Sequence, residues 1–220
     1  LYLLSSPVIN GEDILISEEQ YRNQVKGTML IFWNSYSFFI GYANAVNWNC
    51  KLKAGKLTVL DRWILARLTI LAIDVNLYLN KFDTVESLKA IEEFIIKDFS
   101  TWYIRRSRDR VSVSANEKDR NTALSVMYGV LVTLSKLLAP FTPFIAEEIF
   151  KNLTGEESVH LQSYPKGDKS LLDKKLVSDM DIVRKIVELG HAKRKELGIK
   201  VRQPLSKFSI FNLKFSINFQ

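Results

Sequence analysis

The chain has 220 residues, 47% hydrophobic and 25% charged, which is ample apolar mass for a packed core and excludes a disordered chain. A formal net charge of +7 favours a polyanionic partner and speaks to association rather than fold. Cys50 is the only cysteine, so an intramolecular disulfide and a multi-cysteine zinc site are excluded, and a reducing, cytoplasmic setting is expected.

Taken in chain order, the irregular opening holds the turn residues Asn10 and Gly11. Ser17 followed three residues on by Gln20 has capping-box spacing and predicts a helix from there to about residue 47. Phe32, Trp33, Tyr36, Phe39, Ile40 and Ala43 recur along it at helical steps, with the polar Asn34 and Ser37 between them. Residues 47–56, with Gly55 and three lysines, read as a basic loop. A second helix over about 59–80 carries Trp63, Leu68, Leu71 and Val75, and Asp83 with Glu86 repeats the capping-box spacing to open a third that ends near 111. After a polar connector over 112–121, a fourth helix runs to Ala139 and stops at Pro140. Thr142 before Pro143 is a cap and first-turn pair for a fifth helix through about 153. Residues 155–170 are loop, though the alternation of Val159, Leu161 and Tyr164 is compatible with a brief strand. A sixth helix over about 173–197 ends on Gly198 as a left-handed cap. Beyond it Phe208, Ile210, Leu213, Phe215, Ile217 and Phe219 alternate with period two, like the first strands of another module. The fold class predicted is therefore all-α, a helical bundle with a short β-like C-terminal tail.

The stretch over 99–110, FSTWYIRRSRDR, begins aromatic and finishes with four arginines. At helical spacing Ile95, Phe99 and Trp102 share a face that continues to Arg106 and Arg110. Guanidinium groups suit phosphate oxygens, since each donates two parallel hydrogen bonds. Asp109 lies within pairing distance in sequence of Arg105 and Arg106, so intrahelical ion pairs on a solvated face are the alternative.

Other chemistry is sparse. With only His160 and His191, one cysteine and no glycine-rich loop before a helix, the sequence offers no catalytic, metal or cofactor-binding constellation. Glu147 and Glu148 point in different directions on a helix and read as surface. His191 with Lys193, Arg194 and Lys195 reads as a basic patch or a solvated helix face. The longest apolar stretch, 130–149, is broken by Lys136, Pro140 and Pro143, so no membrane span is expected. The opening LYLLSSPV lacks both a start methionine and a basic leader, and the chain reads as a piece of something longer.

Five runs carry a further signal: LDRWILARL over 60–68, DFSTWYIRRSRDR over 98–110, LLAPFTPFIAEEIF over 137–150, SVHL over 158–161 and GIKVRQPL over 198–205. In content and order they resemble the isoleucyl-tRNA synthetases, class I aminoacyl-tRNA synthetases. The resemblance covers nearly the whole chain. It implies the end of a connecting region over 1–16, a helical anticodon-binding domain of the class Ia type over 17–198, and the start of a C-terminal appendage over 199–220. It also implies that the parent enzyme uses ATP and magnesium to ligate isoleucine to its tRNA. The HIGH and KMSKS types of ATP motif are not in this sequence, so the segment is expected to bind isoleucine tRNA without aminoacylating it. The remaining domains of the same synthetase are its other expected partner. Candidate phosphate contacts are Arg105, Arg106, Arg108 and Arg110. Trp33, Asn34, Tyr36, Trp102 and Tyr103 are candidates for stacking on or reading unpaired bases, with core packing as the alternative for each aromatic. A free-standing RNA-binding module and a helical interaction scaffold remain as other readings.

Overall fold

The computed structural model describes residues 1, 3–4, 6–13, 17–50 and 55–205, and the chain forms two compact units, Leu1–Val177 and Ser178–Gln220. The described part is all-α, with no strand among the described residues. In the first unit α1 (Glu18–Gln24) passes through a wider i→i+5 stretch, Val25–Met29, into α2 (Leu30–Ala45). Then come α3 (Val59–Leu79), α4 (Thr84–Glu93) and a second i→i+5 stretch, Phe94–Ile104, which hands over to the single turn α5 (Arg105–Ser107). The long α6 (Glu117–Leu138) and α7 (Pro143–Thr154) follow, and α8 (Lys174–Glu196) carries the chain into the second unit. There Gly198 ends the helix at φ +66°, and Arg194 Nη1 donates to the carbonyls of Lys200 and Gln203.

The core follows from α6. Ala123, Leu124, Met127, Val130, Leu131, Leu134 and Leu137 are wholly buried, and α6 packs against α2, α3, α4 and α7. Such burial explains why α6, long and apolar enough by composition to cross a membrane, has two thirds of its apolar window inside the protein. Trp63 and Ile64 of α3, Leu88 and Ile91 of α4 and Phe94, Ile95 and Phe99 of the following stretch complete the interior.

Local signals set most boundaries. Thr58 caps α3 through a full capping box with Asp61, and the Asp83 side chain accepts from the Glu86 amide at the start of α4. Asn116 caps α6 by accepting from the Asp119 amide, so this helix begins at Glu117, inside the segment expected to be a connector. Pro140 lies in the break between α6 and α7, as its missing amide requires. Thr142 stands at the cap position of α7, but its hydroxyl donates back to the Leu138 carbonyl instead of accepting from the helix. Gly155 closes α7 in the left-handed region.

Two expectations are corrected and two lie outside the described residues. Val159–Leu161 is a 3-10 turn and not a strand, because Glu147 accepts from both the Val159 amide and the Ser158 hydroxyl and folds the segment onto α7. That contact also takes Glu147 off the plain surface. The loop that follows is stitched inward by the Tyr164 hydroxyl on the Leu137 carbonyl and by Asn76 Nδ2 on the Pro165 carbonyl. The alternating tail from Phe208 to Phe219 and the Gln20 side chain of the first capping box fall on residues not described.

The wider helical stretch decides which of two aromatics stays inside. A regular helix puts both i+3 and i+4 on the face of residue i, so Trp102 and Tyr103 both lie near the face of Phe99. The Thr101 hydroxyl bonds to the Ile96 carbonyl five residues back, and with more residues per turn Trp102 swings away while Tyr103 stays as the wholly buried neighbour, stacked on Phe99 with centroids 6.2 Å apart. Trp102 is left half-buried. Asp98, also buried, accepts from Arg67 Nε at 2.8 Å and ties this stretch to α3.

Candidate nucleic-acid interface

Nine residues were singled out in the sequence, and the structure sorts them into three places. Arg105, Arg106 and Arg108 are exposed, and among the described residues none of them is paired with a carboxylate. Arg106 lies over the Trp102 ring, Cζ 4.7 Å from the centroid, and Arg108 reaches across to α2, 5.9 Å from the centroid of Phe38. Both are cation–π distances. A guanidinium lying on a ring keeps its in-plane donors directed outward, where a phosphate can accept them.

The second place is the surface of α2. Trp33 is 41% exposed, Asn34 is exposed, and Tyr36 is buried against Trp33 with ring centroids 5.4 Å apart. Burial, and then the charge of Glu148, push the Tyr36 hydroxyl above its ordinary pKa. Sequence reasoning missed two neighbours here. Phe38 and Tyr42 sit in contact 4.6 Å apart, and Asn34, Phe38 and Tyr42 recur every four residues on one helix face. The four-residue spacing from Asn34 is the signal in the sequence that places them there.

The third place is internal, and it holds Tyr103 and Arg110. Arg110 donates Nη1 and Nη2 to the two oxygens of Asp61, each at 2.9 Å, and Nε and Nη2 to Asp119 at 3.0 and 2.8 Å. Tyr103 donates its hydroxyl to Asp61 Oδ1 at 2.6 Å. These bonds occupy the donors that a phosphate needs, and the Tyr103 ring has no open face for a base. Burial pushes the Asp61 carboxyl up, but hydrogen bonds from Arg110, Tyr103 and Thr58 outweigh it and hold the group below the usual carboxylate range. Burial, with the Asp61 charge beside it, drives the Tyr103 hydroxyl well above its ordinary value. Among the described residues no group of histidine, cysteine or carboxylate side chains could hold a metal ion.

Residues 61–209 match the family described as the anticodon-binding domain of tRNA ligase. The chain is 42% identical over 202 residues to the isoleucine–tRNA ligase of Dehalococcoides mccartyi strain CBDB1, covering 88% of this chain and 20% of that protein. It is 39% identical to the isoleucine–tRNA ligase of Thermus thermophilus, over 84% of this chain and 18% of the relative. Against that of Methanocella arvoryzae it is 37% identical, over 96% and 20%. The chain thus spans about a fifth of the length of these curated relatives.

Proposed function

The chain belongs to the family of anticodon-binding domains of tRNA ligases, and from that premise we propose that it is the tRNA-holding segment of an isoleucyl-tRNA synthetase. The observation that carries the reading is the turn after residue 104, where three arginines stand outward with no carboxylate partner among the described residues and two of them lie on aromatic rings. In this reading Arg105, Arg106 and Arg108 hold backbone phosphates. The α2 face made of Asn34, Phe38 and Tyr42, with Trp33 beside it, meets unpaired bases by stacking and by hydrogen bonds to their edges. Tyr103 and Arg110 leave the contact set for the interior. Ligation of isoleucine to its tRNA, with ATP and magnesium, belongs to the rest of the parent protein, in the cytoplasm.

Binding of isoleucine tRNA and one noncognate tRNA across a salt series, followed by fluorescence anisotropy, tests this. Affinity is expected to fall steeply and log-linearly as salt rises. Replacing Arg106 and Arg108 by glutamine should weaken both tRNAs equally and flatten the slope by roughly one unit per contact. Replacing Asn34 by alanine should weaken the isoleucine tRNA selectively. Unchanged affinity and slope in the double arginine variant, with the fold intact, overturns the reading.

A further inference from the structure

Asp61 is fully buried and takes five hydrogen bonds from three parts of the chain: two from Thr58, one from Tyr103 and two from Arg110. Tyr103 and Arg110 stand on either side of the arginine-bearing turn, and both converge on this one carboxylate. Between them Ser107 is wholly buried, while Arg105, Arg106 and Arg108 face outward. Arg110 also grips Asp119 in the first turn of α6. The start of α3, the end of the arginine turn and the start of α6 are therefore clasped together by a single ion cluster.

We propose that Asp61 and Arg110 are positioning residues for RNA: their clasp fixes where Arg105, Arg106 and Arg108 stand, and so governs RNA affinity without touching RNA. This rests on the function proposed above. The turn it brackets is short, and it presents three like charges outward whose repulsion favours splaying apart. Two anchors on one carboxylate, one before the turn and one after it, remove that freedom. Arg110 is unsuited to a direct contact, because Nε, Nη1 and Nη2 already donate to carboxylates.

Simple electrostatics and the positioning role predict opposite signs. Removing a negative charge from a protein that binds a polyanion strengthens binding if charge alone matters. In the positioning role Asp61→Asn loosens the turn and weakens binding. The measurement is tRNA affinity of the whole chain across a salt series, with amide hydrogen exchange over 104–111 in the same variants. Asp61→Asn is expected to lose roughly tenfold in affinity, to flatten the salt slope by about one unit and to exchange faster over 104–111. Tyr103→Phe, which keeps the ion pair, should move the same way by roughly threefold. Asp61→Asn combined with Arg106→Gln and Arg108→Gln should cost less than the separate losses multiplied together, since the same contacts are lost twice. Affinity that is unchanged or tighter in a folded Asp61→Asn overturns the proposal. If that variant does not fold, Tyr103→Phe decides by the same two outcomes. A wild-type chain that binds no tRNA overturns the function proposed above, while the exchange pattern alone still decides whether the clasp holds the turn.

Discussion

Arg108 and Arg110 are two residues apart in one charged run, and the structure gives them opposite situations. Arg110 is 16% exposed and bonded to two carboxylates, whereas Arg108 lies in the open on an aromatic ring. Residue type and sequence neighbourhood are shared, so what separates them is the carboxylate each can reach. A count of arginines in a basic run is therefore not a count of phosphate contacts. One of the four is consumed in holding the others.

Breaking the inner member of this comparison carries the largest expected effect. Asp61→Ala leaves Arg110 and Tyr103 facing an empty site and should cost about 3–5 kcal/mol of unfolding free energy, read from urea titration. The same group sets an acid limit. Its pKa is depressed in the folded state, so the stability it contributes is complete above the unfolded carboxylate value near 4 and is lost as pH falls through the lower folded value. Stability measured against pH should fall on the acid side of that value in the wild type and fall less steeply in Asp61→Asn. A smaller effect is expected at the cap: Thr58→Ala should cost about 1 kcal/mol, and more would show that the hydroxyl matters through Asp61 as well as through the helix start. The outer member should be nearly silent in stability. Arg106→Gln and Arg108→Gln are expected to shift unfolding by less than about 0.5 kcal/mol each while lowering tRNA affinity. A large stability loss there would erase the distinction between the two arginines.

The helix series was largely legible because its punctuation is local. Asp83, Pro140, Pro143 and Gly198 act within one turn of themselves, and each marks a boundary in the structure. What escaped depended on partners far along the chain. Asp61 lies inside a run that carried the family resemblance, and the Thr58 to Asp61 spacing was available as a capping box. Nothing local reveals that Tyr103 and Arg110, 42 and 49 residues later, close on the same carboxylate. The departure of Trp102 from the face of Phe99 was hidden for another reason. It follows from a wider helical turn, whereas a periodicity of 3.6 residues per turn keeps both Trp102 and Tyr103 near that face. On α2, the sequence reading names Asn34, and the proposed face adds Phe38 and Tyr42 at four-residue steps from it.

The i→i+5 stretch from Phe94 to Ile104 also sets a rule about chain length. Each residue added to or removed from a helix rotates everything downstream by about 100°. A one-residue deletion there would turn Arg108 away from Phe38 on α2 and carry Arg110 off Asp61 on α3 in the same step. The loop from Gly155 to the start of α8 joins elements through irregular backbone, and its outer residues can lengthen without rotating any helix. Across natural variants of this sequence, insertions and deletions should collect in that loop and be missing between residues 94 and 110, even where the individual side chains differ.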